Sequence, residues 1–115
     1  MASDGCLFCR IAAGDVPVSK LHSDEICIAV ADIAPQAPVH LLILPREHLV
    51  STVALDGSRE ALAGHLLRVA AELARERGLD ATGYRLVLNH GVDAGQTVPH
   101  LHLHLLGGRV LGALG

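Results

Sequence analysis

Seven residues near the C-terminus, His100-Leu101-His102-Leu103-His104-Leu105-Leu106, constrain this chain more than any other stretch. Strict alternation of polar and apolar residues is the pattern of a β-strand with one buried face, and here every polar position is an imidazole. Alternate side chains on one strand face stand about 6.6 Å apart. His100 and His104 are then about 13 Å apart, too far to act together on one small group, while His102 can work with either neighbour. The plain alternative is a half-exposed strand whose polar face happens to be histidine; the row is better explained as an active-site ridge. Leu101, Leu103 and Leu105 fall on the opposite face and are expected to pack beneath a helix, leaving the imidazoles on the open face of the sheet. An open face of this kind also predicts pairing with a second subunit.

The remaining elements follow from local patterns. Cys6 to Ala13 is predicted as a short helix stopped by Gly14, with Phe8 and Ile11 one turn apart on an apolar face. Val16-Pro17-Val18 and Lys20 to Ser23 predict extended edge pieces, Ser23-Asp24-Glu25 a turn, and Ile26 to Ala31 a strand rich in β-branched residues. Asp32 to Pro38 is a loop held by two prolines, and Val39 to Leu44 a strand ended by Pro45, with His40 its one polar residue and His48 on the loop beyond. Leu62, Leu66, Val69 and Leu73 repeat at helical period, so Ser58 to Arg77 predicts one long helix capped by Ser58 and closed by Gly78. His65 and Arg68 fall off that stripe and are expected in solvent; His22 and His90 are likewise expected as surface residues without a role. Tyr84 to Asn89 is a strand, Gly91 to Thr97 a loop whose glycines let the backbone approach a ligand, and the histidine strand starts at about Val98. The order β, β, β, α, β, β predicts an α+β fold, an antiparallel sheet with one long and one short helix, in a single domain over residues 1–115.

Composition limits the function. The chain has 115 residues and a net charge of −3 with its eight histidines neutral. It builds no positive stripe for nucleic acid, and with Phe8 and Tyr84 as its only aromatics it offers no base-stacking platform. No apolar run reaches the length needed to span a membrane, and Met1 to Cys6 lacks the basic start of a secretory signal. A cytoplasmic protein is expected, and there three cysteines argue against a disulfide framework.

Cys6-x2-Cys9 is a weak signal alone: a redox dithiol, two small core residues, or half of a closed zinc site of the Cys2His2 kind. The histidines that could complete it are His22, His40, His48, His65, His90 and the three of the ridge, and spacing alone does not choose among them. For phosphoryl chemistry, a neutral imidazole is a competent nucleophile near pH 7, and adjacent imidazoles can hold phosphate oxygens or move a leaving-group proton. Gly95-Gln96-Thr97 lies just upstream with further donors. There is no Walker-type loop and no carboxylate cluster suited to magnesium.

The pattern His-φ-His-φ-His-φ-φ resembles the signature of the histidine triad (HIT) nucleotide hydrolases and transferases. Asp32-Ile33-Ala34-Pro35-Gln36-Ala37-Pro38-Val39-His40, Pro45-Arg46-Glu47-His48, Asn89, Gly95-Gln96-Thr97-Val98 and Leu106-Gly107-Gly108-Arg109 are similar to further family segments, nearest to its Hint branch. The resemblance runs from Cys6 to Arg109. It implies a HIT-like fold, dimerised, with His102 as the nucleophile that forms a nucleotidyl-histidine intermediate. It implies that His104 holds the α-phosphate and that His40 supports the imidazole network moving the leaving-group proton. Asn89, Gly95, Gln96, Thr97 and Val98 would surround the phosphate, with the Thr97 hydroxyl in the catalytic set. Asp32 would bind the ribose hydroxyls, and Ile33, Phe8, Ile11 and Leu42 would wall a purine. Bacterial members of the branch carry zinc through Cys-x2-Cys-x38-His-x51-His. Cys6, Cys9, His48 and His100 reproduce those intervals and imply a structural zinc ion.

Two departures stand out. The tail Val110 to Gly115 lacks the family's Trp-Pro-Pro-like end, and Thr97 stands where serine is common. The implied reaction is hydrolysis of nucleoside 5′-monophosphoramidates, such as the P–N bond between AMP and an amine. A dinucleoside polyphosphate hydrolase is the second enzyme reading; it needs positive charge beyond the α-phosphate, where Arg109 is the nearest basic residue. A non-catalytic nucleotide-binding module is the third, and the intact His102 argues against it.

Overall fold

Five strands, His22–Ser23 (β1), Cys27–Ala31 (β2), Val39–Pro45 (β3), Tyr84–Leu88 (β4) and Leu103–Gly107 (β5), form one antiparallel sheet in the order β1-β2-β3-β5-β4. These are the elements of a computed structural model that describes residues 5–115. Met1 to Asp4, which carry most of the predicted absence of a leader, lie outside the described residues. A short helix, Leu7–Ala13 (α1), precedes the sheet, and a long one, Glu60–Glu76 (α2), connects β3 to β4 through two single 3-10 turns. The α+β architecture is therefore the one the pattern predicts. Among the described residues no helix is long and apolar enough to cross a membrane.

Each face of the sheet has its own core. On one, Leu66, Val69 and Leu73 of the α2 stripe, with Ala70 and Ala74, pack on Leu41 and Ile43 of β3 and on Leu101, Leu103 and Leu105. The helical period and the strand period thus meet where the sequence predicts. The other face is not open. Phe8, Ile11 and Ala12 of α1 close over Ile28, Val30, Leu42 and Leu44, with Val16, Val18 and Val98 at the margin. Burying side chains the size of Phe8 and Ile11 stabilises by about 1.5–3 kcal/mol each, which is why so short a helix holds its place. Arg46 adds polar ties, donating to the carbonyls of Ala12 and Asp24 and to the Ser23 hydroxyl.

Several boundaries depart from the sequence expectation. Residues 16–18, where Pro17 lacks a ladder donor, are not strand, and β1 is reduced to two residues at the sheet edge. Ser58 does not cap α2. Asp56 caps the preceding 3-10 turn by accepting the Ser58 N–H (3.0 Å), and α2 starts two residues later without a side-chain cap. Gly78 ends the helix as expected, with φ at +71°.

The largest departure concerns the histidines. The ladder between β3 and β5 ends at Ile43↔Leu103, so His100 and His102 precede the strand and only His104 lies in it. The reason is local: the Pro45 carbonyl accepts from the His100 ring (2.9 Å), and the Leu101 N–H turns to the Leu49 carbonyl (2.6 Å).

Candidate active site and metal cluster

The first of the three histidines is withdrawn from the other two. His100 is fully buried. Its Nε2–H donates to the Pro45 carbonyl at 2.9 Å, so the neutral ring turns the Nδ1 lone pair to the cysteines, 3.2 Å from Cys6 Sγ and 3.4 Å from Cys9 Sγ. His48 brings its Nδ1 to 3.2 Å from Cys9 Sγ. Ligand atoms of Cys6, Cys9, His48 and His100 all lie within 4.8 Å of one another, and this group could hold a metal ion. In a tetrahedral zinc site with bonds near 2.3 Å to sulfur and 2.0 Å to nitrogen, sulfur and nitrogen stand about 3.6 Å apart, so the spacing fits. Two outer contacts already orient the ligands: the Pro45 carbonyl on His100 and the Cys9 N–H on Cys6 Sγ at 3.3 Å. Burial and the neighbouring Cys6 push the Cys9 thiol up to about 11; a coordinated divalent ion would reverse that balance. Burial also lowers the basicity of His100, favouring the neutral ring a metal requires.

His102 and His104 open instead into a cavity of about 320 Å³ lined by both of them, by Asp32 and Thr97, and by an apolar wall that includes Phe8, Ile11, Ile33, Leu42 and Val98. Leu7, Val18, Val30 and Ala31 complete the wall; the sequence reading missed these four, and only Leu7, Val30 and Ala31 stand near predicted site residues in the chain. Among the described residues no lysine or arginine lines it. Ile33 is 97% exposed, an apolar side chain at the rim with nothing yet against it.

Backbone contacts fix the ring tautomers. His102 Nδ1 lies 2.7 Å from the His100 carbonyl, which only accepts, so Nδ1 carries the proton and Nε2 holds the lone pair. Phe8 stacks edge-on against this ring at 5.1 Å. His40, buried in β3, accepts the Gln36 N–H at Nδ1 (3.0 Å), so its proton sits on Nε2 and is donated to His104 Nδ1 (2.9 Å). His104 is left with an Nε2–H to offer. Burial, with His102 and His40 beside it, pushes His104 down to about 4, so the ring is neutral at pH 7. Asp32 Oδ2 lies 3.4 Å from His40 Nε2, while its Oδ1 accepts the Ala34 N–H.

Other predicted site residues stand elsewhere. Asn89, Gly95 and Gln96 do not line the cavity. The Gln96 amide is spent inside its own loop and on the segment beside it: Oε1 accepts the Gly91 N–H, and Nε2 donates to the Val50 and Val98 carbonyls. Gly95 closes a 3-10 turn at φ +77°, a conformation that favours glycine whether or not a ligand is near. Arg109 donates to the carbonyls of Gln36 and Val110 and stays out of the cavity. His65, expected in solvent, is half-buried and bonds Asp24 at 2.7 Å. His22 meets the same carboxylate, and His90 bonds the buried Ser51 hydroxyl at 2.6 Å. Sequence reasoning missed Gln36, which acts through its backbone, and Asp24.

Comparison with known proteins gives the class. The HIT domain matches residues 13–111. The chain is 42% identical over 109 residues to an uncharacterized HIT-like protein of Synechococcus elongatus, covering 95% of each. It superimposes with a TM-score of 0.92 and 44% identity on a HIT family hydrolase from Legionella pneumophila Philadelphia 1, covering 94% of this chain and 96% of that one. A histidine triad nucleotide-binding protein from Candida albicans gives a TM-score of 0.80 at 28% identity, over 96% and 86% of the two chains. This chain belongs to the histidine triad family.

Proposed function

We propose that the protein is a hydrolase of nucleoside 5′-monophosphoramidates with a purine nucleotide as substrate. The observation that carries the reading is the pair of opposed ring orientations in the cavity: a free lone pair on His102 Nε2 facing a neutral N–H donor on His104. His102 Nε2 attacks the α-phosphorus, and a P–N(His) bond forms as the bond to the leaving amine breaks. His104 Nε2–H holds a phosphate oxygen, strengthening as negative charge develops there. The departing nitrogen takes up a proton through the imidazole chain that His40 supports. Water then attacks the nucleotidyl-histidine, gives up a proton and releases the 5′-nucleotide. Asp32 receives the ribose hydroxyls, the Thr97 hydroxyl joins the phosphate, and Ile33, Phe8, Ile11 and Leu42 sandwich the base with aliphatic carbon. Gln96 acts by holding the loop that presents Thr97 and Val98, with Asn89 and Gly95 at that loop's two ends.

Cys6, Cys9, His48 and His100 would hold a structural zinc ion, all four positions being filled by protein. Such an ion, when bound, would cross-link α1 to the segments around His48 and His100. A redox dithiol gains no support from two imidazole nitrogens standing within 3.4 Å of the sulfurs. The chain works as a homodimer in the cytoplasm in this reading.

The dinucleoside polyphosphate reading is disfavoured by the absence of lysine and arginine from the cavity lining, since a polyphosphate leaving group needs cationic partners. Comparing hydrolysis of an adenosine 5′-phosphoramidate with that of a diadenosine polyphosphate tests the assignment. Faster turnover of the phosphoramidate by at least tenfold is expected; the reverse order overturns it, and turnover of neither supports a binding module.

A further inference from the structure

A second group of metal-binding side chains lies outside both sites. His22, Asp24 and Cys27 belong to the β1–β2 hairpin, and their ligand atoms lie within 4.8 Å of one another. His65 reaches Asp24 from α2, placing Nε2 at 2.7 Å from Oδ2, and stands outside the set of three whose ligand atoms all lie within 4.8 Å of one another. We propose that His22, Asp24, Cys27 and His65 form a second site for a divalent transition-metal ion, joining the sheet edge to the long helix.

Asp24 is built as a ligand. Its Oδ1 is fixed by the N–H groups of Ile26 (2.7 Å) and Cys27 (2.8 Å), which leaves Oδ2 as the one oxygen facing His22 Nε2 (2.6 Å), His65 Nε2 (2.7 Å) and Cys27 Sγ (3.7 Å). A carboxylate held through one oxygen while offering the other is the usual outer-shell arrangement of a monodentate ligand. The donor set of two imidazoles, one carboxylate and one thiolate suits zinc or cobalt, not the hard oxygen-seeking cations. Sulfur and oxygen on a common tetrahedral ion stand about 3.5 Å apart, near the observed Cys27 spacing. The two imidazoles need to move out from the carboxylate by about 0.6 Å, and His65 also has to close on the other two ligands. Their side chains are 27% and 17% exposed, which lets them move, while Cys27 is fully buried behind them. The Arg68 guanidinium makes a long 3.4 Å contact to His65 Nδ1 from an exposed position, and it releases when that nitrogen carries the ring proton. Cys27 passes its thiol proton to solvent as the ion binds, and burial with the Asp24 charge keeps it protonated otherwise.

Without an ion, the same residues make two hydrogen bonds, His22 to Asp24 within the hairpin and His65 to Asp24 bracing α2 against it, and the experiment separates the two roles. Protein as purified, its metal content measured, is titrated with Co²⁺ while the visible and near-ultraviolet absorption is recorded. Uptake of one further equivalent per chain is expected, with a thiolate-to-cobalt charge-transfer band. His22→Gln and His65→Gln each keep an N–H for Asp24, so the brace and the circular dichroism persist, while cobalt affinity at this equivalent falls at least tenfold. Cys27→Ser is expected to remove the charge-transfer band. No further equivalent in the natural protein overturns the proposal. So does a further equivalent that neither glutamine substitution weakens, or a band that survives Cys27→Ser in protein whose Cys6–Cys9 cluster is already filled with zinc.

Discussion

His100 and His102 stand two residues apart in one repeat, yet the fold gives their rings opposite orientations. His100 donates from Nε2 to the Pro45 carbonyl and turns Nδ1 toward two sulfurs, whereas His102 donates from Nδ1 to the His100 carbonyl and keeps Nε2 free in the cavity. Each neutral imidazole has one donor and one acceptor nitrogen, so whichever nitrogen a carbonyl engages decides which one is left for chemistry. In the proposed function, the difference between a metal ligand and a nucleophile rests on these two backbone oxygens. Neither is visible in the side-chain alternation.

The comparison breaks most sharply at His102. His102→Asn is expected to lower phosphoramidate turnover at least about a thousandfold while nucleotide binding, followed by equilibrium titration, stays within a few-fold. Retained turnover removes His102 from the role of nucleophile. At the other end of the pair, Cys9→Ser is expected to lose one equivalent of metal per chain, read by elemental analysis, and to lower Tm by about 10 °C or more. A metal-free natural protein of unchanged Tm would make the His100 arrangement a core contact only.

A smaller effect probes the support beneath His104. His40→Ala removes the donor that fixes the His104 tautomer and should cut kcat about 10- to 100-fold with little change in KM. His40→Gln, which restores an N–H donor, should recover part of it; equal losses in both would deny His40 a positioning role.

The gentlest test is pH. His104 has an ordinary value of 6.5 and is pushed down to about 4 in the fold, so between those values the folded state binds fewer protons than the unfolded one. Its contribution is fully present above pH 6.5 and is lost as pH falls toward 4, by at most about 3 kcal/mol. Asp24 is held well below the usual carboxylate range: burial opposes this, and the bonds from His22, the Cys27 backbone, His65 and the Ile26 backbone outweigh it. Its protonation takes further stability below about pH 4. Thermal unfolding followed from pH 8 to 3.5 should show Tm level above 6.5 and declining below; a Tm rising on acidification would contradict the buried neutral ring.

The elements were legible because their signals are local. The α2 stripe, the alternation of Leu101, Leu103 and Leu105, and the Gly78 stop each need only a few neighbouring residues to express a period or a turn. Much of the cavity wall was legible too, through resemblance to the family, because Phe8, Ile11, Leu42, Asp32 and His102 carry their chemistry in their identity. The roles of Gln96, His65 and Asp24 were not. Gln96 is polar and close to Thr97 in sequence, but its amide is consumed by the Gly91, Val50 and Val98 backbone. His65 lies off an apolar stripe, a position that indicates solvent until the hairpin carrying Asp24 is packed beside it.

The sequence by itself determined the periodicities, the class of fold and the stock of imidazoles and thiols, since these depend on residue type and short spacing. Only the tertiary structure decided which histidine meets which partner. Cys6 and His100 are 94 residues apart in the chain, and His40 and His104 are 64 apart. No local preference encodes such contacts; they exist because two apolar cores, one on each face of the sheet, bring the segments together and leave the polar ends of these rings to one another.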